Sequence, residues 1–233
     1  IEESKKLPEF KIAVGDESKA SEPQVLIMHT HTTESYEPYA RDFYDASFNS
    51  RTTDESKNMV SVGNKIQEQL SAAGINVIHD KTIHDYPSYN GSYDRSAVTV
   101  KAILAQYPSI KIVLDVHRDA IEKDDGSRVA PTVSIDGKNA AQVMIISGAD
   151  NGKLNMPNYM QNFRFASLLQ QEMESDYPGL TRPIFFAYRK YNQDLTTGSI
   201  LIEVGGHANS IDEAQYSGEL IGKSLVSALE KIK

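Results

Sequence analysis

Residues 110–117 read Ile110-Lys111-Ile112-Val113-Leu114-Asp115-Val116-His117. The run is almost wholly apolar and rich in β-branched residues until it meets the histidine. That is the pattern of a strand buried on both faces, as in a parallel sheet covered by helices. Two other runs repeat it. Val25-Leu26-Ile27-Met28 leads into His29 and His31, and Ser199–Val204 carries Glu203. In an open α/β sheet, ligands sit beyond the carboxyl ends of the strands. Three strands that each end in an ionisable residue therefore mark a candidate site.

The segments between these strands fit the same architecture. A helix is expected from Asp54 to Ala73, capped by Thr53 or Asp54 and stopped by Gly74. A strand follows at Ile75–Ile78, then a loop over 80–92 and a helix from Asp94 to Gln106. Val129–Ile135 and Gln142–Ile146 read as two strands around the Asp136-Gly137 turn. Helices are expected over 158–175 and 210–232, with a short strand at Pro183–Phe186 between them. The order β-loop-α-β-α-β-ββ-α-β-α predicts one α/β domain with an open, mainly parallel sheet flanked by helices. Residues 1–23 are polar and read as an arm or linker, leaving 24–233 as the catalytic domain.

Composition narrows the function. The chain has 233 residues, of which 39% are hydrophobic and 24% charged, so it can bury a core and is not a disordered chain. It has no cysteine, which excludes disulfides, thiolate metal sites and a cysteine nucleophile. A net charge of −8 argues against nucleic acid as a partner. No apolar run reaches the roughly 18 residues of a membrane span. The motifs HExxH, GxSxG, the P-loop and GxGxxG are all absent.

The residues after the first strand carry the chemistry. His31 and Glu34 are three apart, so one helical turn would point them the same way. With a distant histidine, His117, they make a three-ligand set for zinc that leaves a position for water. His29 competes with His31, since on a continuing strand both face the same way. Glu55 competes with Glu34, although a carboxylate at a helix start has a simpler explanation. Glu203 lies in so apolar a run that it needs either a salt bridge, to Arg95 or Arg118, or a function as general base. Arg118 could polarise a carbonyl or hold a substrate carboxylate, and Asp115 or Asp119 could accept the second ring N–H of a ligand histidine. Tyr86, Tyr89 and Tyr93 suit a groove for sugar or peptide.

Six segments carry a resemblance to a known family. They are VLIMHTHTTESY (25–36), KNMVSVGNKI (57–66), GINVIHDKTIHDYPSYNGSYDRS (74–96), IKIVLDVHRDAI (110–121), YNQDL (191–195) and LIEVGGHANS (201–210). The chain resembles the stage II sporulation protein P family, cell-wall hydrolases of endospore-forming bacteria that are similar in fold to zinc N-acetylmuramoyl-L-alanine amidases. The resemblance implies Zn2+-dependent cleavage of the amide between N-acetylmuramic acid and L-alanine, with endopeptidase activity on stem-peptide cross-links. It implies metal roles for His31, Glu34 and His117 and catalytic roles for Glu203 and Arg118. It further implies peptidoglycan as substrate and a stage II sporulation protein D-type lytic transglycosylase as partner. Work outside the cytoplasmic membrane during engulfment is implied too, with an anchor that this sequence lacks. The competing expectations are a zinc carboxypeptidase acting on free peptides and a metal-free wall-binding module.

Overall fold

A computed structural model of the chain describes residues 1–13, 22–43, 45 and 47–233. A six-stranded sheet forms the centre. Its order is β2 (Val77–His79), β1 (Val25–Met28), β3 (Ile112–Asp119), β8 (Gly198–Gly206), β6 (Val143–Gly148) and β7 (Phe185–Ala187). The first four strands are mutually parallel, and β6 reverses against β8. The Asp136-Gly137 turn, with both residues at positive φ, joins β4 (Thr132–Ile135) to β5 (Lys138–Ala141), whereas the strand expected at Gln142–Ile146 is not the hairpin partner and lies in β6 of the main sheet. The sheet is thus open and mainly parallel, as the strand pattern requires.

The two faces are unequal. On one face, Ile27, Ile112, Leu114, Ile200 and Ile202 meet Val62, Ile66 and Leu70 of α1 (Met59–Ala72) together with Leu225 and Leu229 of α4 (Ile211–Glu230). Burial of five such strand residues is worth about 1.5–3 kcal/mol each before chain entropy is charged. At Gly222 an added Cβ would stand 2.8 Å from Gln69 Cβ, so α4 approaches α1 too closely for a larger residue. The helix α3 (Tyr159–Asp176) packs beside α4. The other face holds a smaller cluster, in which Val100 of α2 (Ser92–Gln106) meets Leu26, Met28 and Val113. The helix α2 covers the sheet next to β1, and the N-terminal turn of α2 overhangs the strand ends.

Several element boundaries differ from expectation, three of them beside the strand ends. The helix α1 starts at Met59 rather than Asp54, because Asn58 caps Val60 N while Asp54 closes a turn on Ser56 instead. The strands β3 and β8 run on past His117 and Glu203 to Asp119 and Gly206. Of the proposed arm, residues 14–21 lie outside the described residues. Its first 13 residues dock on α3: Arg164 binds Glu3 and Glu9 at 2.7 Å, Phe10 packs edge-on against Phe165, and Ile12 is buried.

Candidate active site

The strand ends bring the singled-out residues together. In the parallel pairing of β3 with β8, His117 and Glu203 are register partners. Asp115 and His117, two apart on β3, share the sheet face covered by α2. After Met28 the chain leaves β1 and folds a turn, with Glu34 N donating to His31 O at 3.1 Å. This turn is pinned on three sides. Glu34 pairs with Arg51 as an isolated bridge, Met59 N of α1 donates to Glu34 O, and the Tyr36 hydroxyl donates to Val204 O of β8. His31 and Glu34 are held against the end of β3 by these bonds.

His117 is the hub. Its Nδ1 lies 3.5 Å from Oε2 of Glu34, and its ring meets that of His31 edge to face, 5.2 Å between centroids. Its Nε2 stands 2.7 Å from Oδ1 of Asp115 yet makes no hydrogen bond. Asp115 is itself fixed by the N–H and hydroxyl of Thr30. Tyr93 of α2 lies parallel to the His117 ring, Tyr89 stacks on His31 at 4.4 Å, and Ser92 Oγ approaches His31 Nδ1 at 3.3 Å.

Charge explains the protonation. Burial works against a charged His117, but Asp115 and Glu34 overcome it and raise its pKa well above the ordinary histidine value. Burial lowers His31 to about 4, helped by the positive His117. Glu34 and Asp115 are pushed up by burial, yet the adjacent His117 brings both below the usual carboxylate range. Glu203 goes the other way. Burial, reinforced by Glu34 and Asp119, pushes it up to about 8, and its Oε2 has no hydrogen-bond partner.

The donor set is two imidazoles and a carboxylate, which suits a borderline divalent cation. Among the described residues, no three such groups already stand in a metal-binding arrangement. Two features nevertheless fit a cation. The Oε2 of Glu203 is buried without a hydrogen-bond partner, and the carboxylates of Asp115 and Glu34 both crowd the His117 imidazole.

The rival candidates separate. Glu55 is exposed and pairs with Lys81 at 3.6 Å, whereas Glu34 is buried beside His117. His29 does not share a face with His31, because β1 stops at Met28 and the two-residue alternation stops with it. Instead His29 Nδ1 donates to Val116 O and its Nε2 meets His79 Nε2 at 2.9 Å. Arg118 lies at the site, but its guanidinium donates to the carbonyls of Ser35, Ser50 and Asp119. It therefore braces the turn that carries Glu34. Neither Arg95 nor Arg118 reaches Glu203. Arg95 donates to the carbonyls of His84, Ser88 and Asn90. Sequence reading missed Arg51, which touches Glu34 at 3.5 Å and Asp85 at 2.7 Å. Nothing in a polar loop signals that contact.

The sequence model of the stage II sporulation protein P family matches residues 1–225. Stage II sporulation protein P of Bacillus subtilis (strain 168) is 33% identical over 204 residues, covering 82% of this chain and 47% of that protein. The chain thus spans about half the length of that relative. Solved structures of N-acetylmuramoyl-L-alanine amidases share the fold. AmiC2 of Nostoc punctiforme superposes with a TM-score of 0.53 at 9% identity, covering 90% of this chain and 96% of that one. The CwlD amidase of Clostridioides difficile, solved in complex with the GerS lipoprotein, gives 0.52 at 12% identity, covering 90% and 98%. The catalytic domain of CwlV from Bacillus (Paenibacillus) polymyxa var. colistinus gives 0.52 at 13%, covering 91% and 99%.

Proposed function

The chain belongs to the stage II sporulation protein P family, and from that premise we propose that it is a zinc-dependent peptidoglycan hydrolase. It cleaves the amide joining N-acetylmuramic acid to the stem L-alanine, and also cross-links between stem peptides. It works outside the cytoplasmic membrane during sporulation, anchored through a segment beyond this sequence, with a stage II sporulation protein D-type lytic transglycosylase as partner. The observation that carries this reading is the side-by-side placement of His117 and Glu203 on parallel strands, with Glu34 against the same imidazole.

His31, Glu34 and His117 would hold the zinc. When bound, zinc supplies Lewis acidity toward the scissile carbonyl and makes water more acidic. Glu203 takes the proton of the attacking water on its unpaired oxygen and delivers it to the leaving amide nitrogen. Its pKa, raised to about 8 in the metal-free protein, suits an acceptor that must also become a donor. Arg118 keeps the turn bearing Glu34 in place through Ser35 O. A carboxypeptidase would need a free guanidinium for the terminal carboxylate, and that of Arg118 is already spent on carbonyls.

The test is mass spectrometry of purified peptidoglycan after incubation with the chain, with and without chelator. Free stem peptides beginning with L-alanine, formed only without chelator, are expected. Release of single amino acids from free peptides would mean a carboxypeptidase, and no release at all would leave a binding module.

A further inference from the structure

We propose that the cleft beside Tyr86 and Tyr89 is a saccharide subsite, which takes the N-acetylated glycan strand up to the reaction centre; this rests on the peptidoglycan reading above. The cleft has a volume of about 500 Å³, within the roughly 300–1,000 Å³ of ordinary ligand sites. One wall is continuous with the proposed ligands. The ring of Tyr89 stacks on His31 with only 15° between planes, and the Arg51 guanidinium lies 4.8 Å over the same ring while reaching Glu34. A ligand in the cleft therefore ends beside the residues that do the chemistry.

The lining selects the ligand class. Arg51 is paired with Asp85, and the Asp85 carboxylate also accepts from the N–H and hydroxyl of Thr33. Its charges are thus closed on one another. Besides that paired guanidinium, the groups that face a ligand are Asn49, Thr52, Thr53 and the two tyrosines, all neutral. Neutral hydrogen-bonding groups beside aromatic rings suit a pyranose, which offers apolar C–H faces, hydroxyls and an acetamide. They carry no charge to pair with the carboxylates of a stem peptide, and the one guanidinium on the wall is already paired with Asp85. A second cleft, about 370 Å³, is more highly charged: its walls carry the ion pair of Arg41 with Glu37, and also Arg128 and Asp42.

The surface is also built in advance. Tyr86 is 64% exposed and Tyr89 53%. Their loop is nonetheless fixed, because Arg95 donates to three of its carbonyls, those of His84, Ser88 and Asn90. A fixed loop binds without first losing its own freedom.

The probe is a tetramer of β-1,4-linked N-acetylglucosamine, titrated into the zinc-loaded chain and followed by amide NMR, with a free stem tripeptide as the parallel titration. The tetramer should shift the amides of residues 49–53 and 85–90, and the tripeptide should leave them in place. Tyr86→Ala should weaken tetramer binding about tenfold, and Tyr86→Phe, which keeps the ring, should restore it. On peptidoglycan, Tyr86→Ala should raise KM and spare kcat. Unshifted amides, shifts caused by the tripeptide instead, or native affinity in Tyr86→Ala would each overturn the subsite. If the tetramer binds through Tyr86 but no peptidoglycan is cut, the hydrolase reading fails and the saccharide site stands.

Discussion

Two groups of buried histidines flank the end of β1, and their polar atoms are served in opposite ways. On the α1 side, His29 uses both nitrogens, on Val116 O and His79 Nε2; His84, which touches α2 through Thr99, also uses both, on His29 O and Thr99 Oγ1. Burial lowers His29 to about 4, so it stays neutral. On the α2 side, two carboxylates, Asp115 and Glu34, raise the pKa of His117, and Oε2 of Glu203 is left without a hydrogen bond. Buried polar atoms are nearly always satisfied when their only task is structure. The two groups therefore differ in how their polar atoms are served, although His29 and His31 are two residues apart. In the first group one atom is loose, Nδ1 of His79. If His29 donates to Val116 O, then His79 must donate to His29, which leaves that nitrogen as a bare acceptor.

The sharpest way to break this contrast is to remove the proposed metal ligands. His117→Ala and Glu34→Ala should bring zinc per chain close to zero and abolish peptidoglycan cleavage, while Glu55→Ala keeps both. Elemental analysis of the three variants decides it. Zinc retained in Glu34→Ala and lost in Glu55→Ala would move the carboxylate ligand to the exposed residue.

Next in size is Glu203→Gln. It should keep the metal and lower turnover roughly a hundredfold or more, the usual scale for general acid–base catalysis. The same substitution reads out the unpaired oxygen. In metal-free protein the Glu203 carboxyl titrates at about 8, above its ordinary 4.5. Its contribution to stability is complete below about pH 4.5 and is lost as pH rises through 8. A neutral glutamine escapes that loss, so the chelated variant should melt a few degrees above the native chain at pH 8 and show no such gain at pH 4. Loss of zinc along with activity would make Glu203 a ligand.

His29→Ala probes the satisfied side. It strips partners from Val116 O, His79 and a fully buried space, which should cost about 1–3 kcal/mol in hydrogen bonding alone. Thermal unfolding should shift down by several degrees, and zinc per chain should hold. A drop in zinc at unchanged stability would show that His29 belongs to the metal site.

Much of the fold and the core of the site are legible in the residues alone. Runs such as 110–116 announce themselves because a strand covered on both faces has no polar positions to disguise it. The order of strands and helices then sets the sheet edge where His31, His117 and Glu203 gather. What stays hidden depends on single contacts. The stop of β1 at Met28 turns His29 away from His31, and no local residue type marks that stop. Asp54 has the chemistry of a helix cap, but it closes a turn on Ser56 and Asn58 caps the helix in its place. The guanidinium of Arg118 follows a histidine at a strand end, and only the positions of Ser35 O and Ser50 O show which carbonyls it binds.

The smallest effect is expected at Gly63, and it sharpens the contrast most finely. Gly63 lies inside α1, where alanine would be favoured over glycine by about 1 kcal/mol. Its absent side chain makes room for the histidine pair. A Cβ there would stand 2.5 Å from His79 Nε2 and 2.9 Å from His29 Nε2. Both atoms are ring tips, and His79 sits on the edge strand β2, so its ring can swing aside at the expense of the bond to His29. The lost bond is worth about 0.5–1.5 kcal/mol. The two effects oppose each other and are of similar size, so Gly63→Ala should change stability by less than about 1 kcal/mol in either direction. Zinc content and turnover should not move, because the disturbed ring belongs to the group that only supports the strand end. Chemical denaturation, elemental analysis and peptide release on one preparation test this together. A stable variant with reduced zinc would show that the neutral pair is coupled to His31 through the end of β1, and the division between the two groups would fall.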